Sequence, residues 1–121
     1  MPQTIMIVAN DPNITYLFQR YAEESGFRTV SACQGKDVLD LAHHTHPVLI
    51  ILDTELPGST GPTMLHGLRT EADTRNIPVV LYSGLEGPAE EWEEDAVGHL
   101  PKTVLYDDFV AALKQAGVNH R

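Results

Sequence analysis

The sequence predicts an α/β fold, an open, doubly wound, five-stranded parallel sheet with helices on both faces. Short apolar runs of strand length alternate five times with segments whose apolar residues recur at helical spacing. The run at residues 48–52 is apolar throughout, as expected of a strand covered on both faces. Strands that alternate with helices pair in parallel, because each crossover returns the chain to the same end of the sheet.

The first half of the chain holds three predicted strands and two predicted helices. The strands are the short apolar runs at residues 4–9, 27–32 and 48–52. Asp11 and Pro12 predict the start of the first helix, because Pro is favoured in the first helical turn. Gly26 ends that helix, since glycine readily adopts the left-handed backbone that follows many helices. Residues 35–44 form the second predicted helix.

The second half continues the alternation after a turn-rich loop. A third helix carries Met64, Leu65 and Leu68 on one face, and Pro78 is tolerated at the start of the strand that follows. The remaining predicted elements are a fourth strand at 77–82, a short acidic helix within 86–95, a fifth strand at 97–100 and a closing helix at 106–116.

Composition narrows the possible functions. The 121 residues suit one domain spanning 1–121, and no apolar run approaches the roughly 20 residues of a membrane-spanning helix. The formal charge of −9, with eight scattered basic residues, argues against nucleic-acid binding. Cys33, the single cysteine, is predicted to be buried and allows no internal disulfide. We therefore expect a cytoplasmic protein.

Chemically reactive side chains follow the predicted strands. Asn10 and Asp11 come after the first strand, Asp53 lies in the loop after the third, Ser83 follows the fourth, and Lys102 follows the fifth. In open α/β sheets, sites lie outside the carboxyl ends of the strands. The sequence therefore predicts one site that combines acid, hydroxyl and amine groups.

The stretch LIILDTELPGSTG at residues 49–61 resembles the receiver domain of bacterial response regulators. It has that family's apolar strand, phosphoacceptor Asp, Leu-Pro-Gly turn and later Gly. The resemblance runs from about residue 4 to about residue 117 and implies a flavodoxin-like fold of the receiver type. Further matching positions are Gly26, Phe27, Val30, Ala32, Gly35, Leu68, Arg69, Ile77, Pro78, Val79, Ser83, Gly84 and Lys102.

The resemblance implies a role in phosphorelay signal transduction rather than an enzyme. In that family a histidine kinase or phosphotransfer protein passes a phosphoryl group to the Asp, here Asp53, with Mg²⁺ bound. Lys102 and Ser83 would contact the phosphoryl group, and His99 stands at the aromatic switch position. We expect a stand-alone receiver that acts through a downstream protein partner, with no nucleic acid and no membrane involved.

The chain departs from the family at the metal site. Two acidic residues normally follow the first strand, and Ala9 and Asn10 stand there instead. Because Mg²⁺ prefers carboxylates, we expect weak binding through Asn10, Asp53 and Glu55. Glu55 would bind the ion through its backbone carbonyl. As an alternative, its side-chain carboxylate would also replace part of the missing negative charge. Asn10 has a second interpretation as the cap of the first helix, while the Asp11 side chain points away from the site.

Two further departures lie near Lys102. Thr103 replaces the family's proline, so the bond before it is expected to be trans, since a cis bond before a non-proline residue costs about 3–4 kcal/mol. The segment from 83 to 102 is about three residues shorter than in the family. Ala9, Asn10 and Thr103 favour an alternative function, a degenerate receiver that binds proteins without being phosphorylated.

Other readings of the residues are less favoured. A flavodoxin-like cofactor binder or small enzyme would need a glycine-rich phosphate loop after the first strand, which the sequence lacks. His43 and His46 have metal-ligand spacing, but we expect a solvated helix end. The acidic run around Trp92 is interpreted as a solvated face, with a protein interface as the alternative.

Overall fold

A five-stranded parallel sheet with helices on both faces forms the centre of the molecule. The computed structural model describes residues 3–34, 37–53, 61–82, 98–100 and 105–118. The elements in these ranges are β1 (Thr4–Val8), α1 (Pro12–Glu24), β2 (Arg28–Ala32), α2 (Val38–Thr45), β3 (Leu49–Asp53), α3 (Gly61–Thr70), β4 (Val79–Tyr82), β5 (Gly98–Leu100) and α4 (Tyr106–Gln115).

The strands pair in the order β2-β1-β3-β4-β5, and every pair is parallel. This order confirms the predicted doubly wound sheet. The chain leaves β1 outward to β2 and then returns to β3 on the other side of β1. The carboxyl ends of β1 and β3 therefore flank the point where the strand order reverses, which is the usual place for a site in such sheets.

Two apolar clusters cover the two faces of the sheet. Side chains alternate along each strand, so Ile5 and Ile7 of β1 lie in one cluster while Met6 and Val8 lie in the other. Helices α1 and α4 cover the first face with Phe18, Ala22, Phe109, Ala112 and Leu113. Helices α2 and α3 cover the second face with Val38, Ala42, Met64, Leu65 and Leu68.

The ends of the helices follow local chemistry. Pro12 occupies the first turn of α1, and Gly26 follows it with φ of 91°, as the sequence predicted. Gly117 follows α4 with φ of 74°. His46 caps α2 in the left-handed region with φ of 46°, where a side chain is disfavoured.

Some sequence predictions need correction. β4 begins at Val79 and not at Ile77, because the N–H of Ile77 donates to the carbonyl of Thr74 in the preceding turn. Cys33 is exposed, since it lies beyond the last buried residue of the edge strand β2. The predicted acidic helix within 86–95 lies outside the described residues. Within the described ranges, no helix is long and apolar enough to cross a membrane.

Candidate functional site

Asp53 is the last residue of β3, at the point where the strand order reverses. The prediction that it lies in the loop after the strand is wrong, because Asp53 still pairs with Tyr82 of β4. Its side chain is half-buried. By alternation with Ile51 it lies on the face of the sheet that α1 and α4 cover. Strand pairing therefore holds its backbone in place.

Ala9 directly follows β1 and lies level with Asp53 of β3. Val8 pairs with Leu52, so Ala9 and Asp53, the residues that come next, fall in the same row. The Ala9 N–H donates to the carbonyl of Ala32 at 3.1 Å. Ala9 is 5% exposed and belongs to the same apolar cluster as Phe18 and Tyr82. The first of the two positions where an acid was expected thus carries a buried methyl group.

Asn10 and Asp11 follow at the exposed edge and play different roles. The Asp11 carboxylate accepts a hydrogen bond from the backbone N–H of Asn13 at 2.9 Å, which makes Asp11 the N-cap of α1. The alternative that Asn10 caps this helix is therefore wrong. The Asn10 side chain is exposed. No hydrogen bond joins it to any residue that the structure describes.

Tyr82 is a neighbour of Asp53 that the sequence analysis did not single out. It lies opposite Asp53 in the ladder and is buried. Its ring meets that of Phe18 edge-on, with centroids 5.4 Å apart, and Phe18 in turn lies 6.4 Å from Phe109. These rings fill the space beneath the site. Its position directly before Ser83, a predicted site residue, is the feature of the sequence that could have indicated this role.

Among the remaining predicted site residues, His99 alone lies within the described part of the chain. Glu55, Ser83 and Lys102 lie outside the described residues, as does Thr103. His99 lies in β5, where its backbone pairs with Leu81. The described part of the site therefore consists of Asp53, the two residues that follow β1, and the aromatic rings below them.

The described donor groups fit Mg²⁺ poorly. Mg²⁺ prefers carboxylate oxygens, and the two positions after β1 offer a methyl group and an amide. The carboxylate of Asp11 is engaged at the helix cap. Within the described ranges, no group of three or more His, Cys, Asp or Glu side chains is placed to hold a metal ion.

The histidines at the end of α2 do not form a metal site in the described part of the chain. His43 Nδ1 lies 3.1 Å from Asp73 Oδ2, and both side chains are partly exposed. His44 Nδ1 lies 2.7 Å from the carbonyl oxygen of Asp40 one turn earlier. The Asp73 carboxylate approaches His43, but the two side chains form a surface pair.

A cavity of about 430 Å³ lies at the opposite end of the sheet from Asp53. Its walls come from residues just before β1, β3 and β4 and from the residues after α4. The lining residues are Gln3, Pro47, Val48, Asn76, Ile77, Pro78, Ala116, Gly117 and Val118. Neither Asn10 nor Asp53, the predicted site residues whose side chains the structure describes, lines it.

The geometry agrees with comparisons to known proteins. The family model described as "Response regulator receiver domain" matches residues 5–114. The chain is similar to the polar-differentiation response regulator DivK of Brucella ovis, with 28% identity over 117 residues, covering 94% of this chain and 95% of that relative.

Solved receiver structures share the fold. The response regulator receiver domain (CheY-like) from Methylobacillus flagellatus superposes with a TM-score of 0.87 and 20% identity, covering 96% of this chain and 99% of that chain. The chemotaxis response regulator CheY4 of Vibrio cholerae superposes with a TM-score of 0.83 and 18% identity, over 96% and 99% of the two chains. With its family match and this shared fold, the chain belongs to the response regulator receiver domains of two-component signalling.

Proposed function

We propose that this receiver accepts a phosphoryl group on Asp53 from a histidine kinase or a phosphotransfer protein. The observation that carries the proposal is the place of Asp53, which is half-buried at the carboxyl end of β3 where the strand order reverses. Its sequence context, LIILDTELPG, is that of the family's acceptor. Receiver domains are signalling modules and not classical enzymes, so the reaction is a transfer to the protein itself.

The transfer breaks the bond between phosphorus and the donor's histidine nitrogen and forms one to a carboxylate oxygen of Asp53. Because the carboxylate and the phosphoryl group are both negative, the reaction needs positioning and a nearby positive charge. The pairing of Asp53 with Tyr82 contributes to positioning. Lys102 is the proposed positive charge, Ser83 the proposed hydroxyl partner of the phosphoryl group, and His99 the proposed switch.

Metal binding at this site is proposed to be weak. Asn10, Asp53 and Glu55 would hold Mg²⁺, and the ion would neutralise phosphoryl charge when bound. An amide oxygen is a poor substitute for a carboxylate at such an ion, because it carries no charge to offset that of the cation. We therefore expect the protein to depend on its partner for efficient phosphorylation.

A second candidate function is that of a degenerate receiver, which binds proteins without being phosphorylated. The burial of Ala9 in the apolar cluster favours it, as does the engagement of Asp11 at the helix cap. Because of both features, Asp53 has fewer carboxylates around it than the acceptor in the family pattern. In this case the partner would recognise the protein whether or not Asp53 is modified.

We further propose that residues 1–121 form one receiver domain whose output is a downstream protein partner. The cytoplasm is the proposed compartment, because the chain has one cysteine and its expected donor is a histidine kinase. Nucleic-acid binding is not proposed, since the chain has only eight basic residues and 17 acidic ones.

The test incubates the protein with a small-molecule phosphodonor and Mg²⁺ and measures intact mass over several hours. One added phosphoryl group is expected on the natural chain and on Asp11→Asn, which changes a carboxylate at the same edge. Asp53→Asn should gain none. If no adduct forms with the small donor or with a phosphorylated phosphotransfer protein, the degenerate function replaces the first proposal.

A further inference from the structure

We infer that Asn10 is the residue that prevents tight divalent-cation binding at Asp53, and that Ala9 contributes little to this loss. The inference deepens the proposed weak metal site. It rests on Asp53 being the centre of that site, but it does not require that Asp53 be phosphorylated. The two positions after β1 differ in burial, and this difference separates their effects.

Ala9 is a poor place for a metal-binding carboxylate. Its side chain is buried in the cluster that contains Phe18 and Tyr82, and its N–H is already paired with the carbonyl of Ala32. A charged group introduced there would lose its hydration beside aromatic rings. The free energy gained at the cation would be offset by this desolvation, so replacing Ala9 with Asp should destabilise the fold more than it strengthens metal binding.

Asn10 has none of these constraints. It is exposed and is the next residue after Ala9, which lies level with Asp53 on the neighbouring strand. Position 10 is one residue past the row that Ala9 shares with Asp53, and adjacent strands are about 4.8 Å apart, so we infer that a carboxylate at position 10 could share one cation with Asp53. Asn carries an NH₂ group where Asp carries its second carboxylate oxygen. Replacing Asn with Asp therefore adds a negative charge with almost no change in side-chain size.

Asp11 cannot compensate for Asn10. Its carboxylate caps α1 through the N–H of Asn13, and its backbone carbonyl accepts from the N–H of Thr15. Turning the side chain toward Asp53 would leave the Asn13 N–H without this partner. Asp11 is an acid one residue beyond the positions of the usual acidic pair. Because its carboxylate caps α1, it does not replace the missing cation ligand.

The test titrates unphosphorylated protein with Mg²⁺ and follows the backbone amide NMR signals of residues 8–10 and 52–53. The natural chain is compared with Asn10→Asp, Ala9→Asp and the double variant Asn10→Asp with Asp53→Asn. Restoring one charged contact should tighten Mg²⁺ binding about tenfold to a hundredfold in Asn10→Asp. The double variant should lose that gain, and Ala9→Asp should gain less than about threefold and melt at a lower temperature.

Two results would overturn the inference. One is a natural chain that already binds Mg²⁺ within about threefold of Asn10→Asp. The other is an Ala9→Asp variant that gains as much affinity as Asn10→Asp. A failure of Ala9→Asp to fold supports the buried placement, while the Asn10→Asp arm decides the cation question alone. Because no phosphodonor is present, these outcomes are independent of whether Asp53 accepts a phosphoryl group.

Discussion

The carboxylate of Asp11 lies 2.9 Å from the backbone nitrogen of Asn13 and caps α1, which begins three residues after Ala9. The acid nearest to the expected acidic pair is thus a structural residue. Its hydrogen bond satisfies one of the N–H groups that lack partners at the start of every helix. The Asp11 carboxylate therefore stabilises α1 instead of serving as a ligand at the site.

Replacing Asp11 with Ala should lower the free energy of unfolding by about 1 kcal/mol, because α1 loses its N-cap. Urea denaturation measures the change. Asn10→Ala is the matched control and should change stability by less than about 0.5 kcal/mol, since the residue is exposed. If the two variants lose equal stability, Asp11 is not the cap that matters.

Replacing Gly67 with Ala should stabilise the protein by roughly 0.5–1 kcal/mol, because Gly is a poor residue inside a helix. An added Cβ would lie 3.5 Å from Leu39 Cδ1, an ordinary contact between α3 and α2. Thermal unfolding provides the measurement. Gly117→Ala is the opposite control, because φ of 74° at that position strains any side chain. A lower melting temperature for Gly67→Ala would show that α2 and α3 pack more tightly than described.

Replacing Thr74 with Val should cost about 1–3 kcal/mol, because a buried carbonyl loses its donor. Thr74 is fully buried, and its hydroxyl donates to the carbonyl of Leu68 at 2.6 Å in the last turn of α3. Val keeps the shape and removes only the hydroxyl. Thr74→Ser keeps the hydroxyl and is the control. Should Ser prove more damaging than Val in urea denaturation, packing by the methyl group outweighs the hydrogen bond.

Ser25 and Tyr106 should be energetically coupled. Their hydroxyl oxygens lie 2.9 Å apart and join the end of α1 to the start of α4, and Ser25 is 1% exposed. A double-mutant cycle with Ser25→Ala and Tyr106→Phe should give a coupling free energy of about 0.5–1.5 kcal/mol. Purely additive losses would mean that the pair contributes nothing beyond its separate packing.

The order and direction of the elements could be predicted from the sequence, because apolar periodicity differs between strands and helices. The placement of Asp53 and the residues after β1 at the same edge of the sheet also followed, since parallel strands end together. The roles of single residues could not be predicted from the sequence. Asn and Asp are equally good N-caps, so the sequence alone left the cap between Asn10 and Asp11 undecided. The burial of Ala9 depends on Phe18 and Tyr82, which meet only in the folded chain.

The central claim is that Asp53 itself carries the phosphoryl group, and chemical mapping of the phosphorylated protein tests it most directly. Borohydride reduces an acyl phosphate of aspartate to homoserine, and trypsin then releases residues 37–69 as one peptide. That peptide also contains Asp37, Asp40 and Glu55, so tandem mass spectrometry distinguishes the acceptor from its neighbours. We predict homoserine at position 53 alone. Reduction at another carboxylate, or none after treatment with a phosphorylated phosphotransfer protein, would contradict the claim.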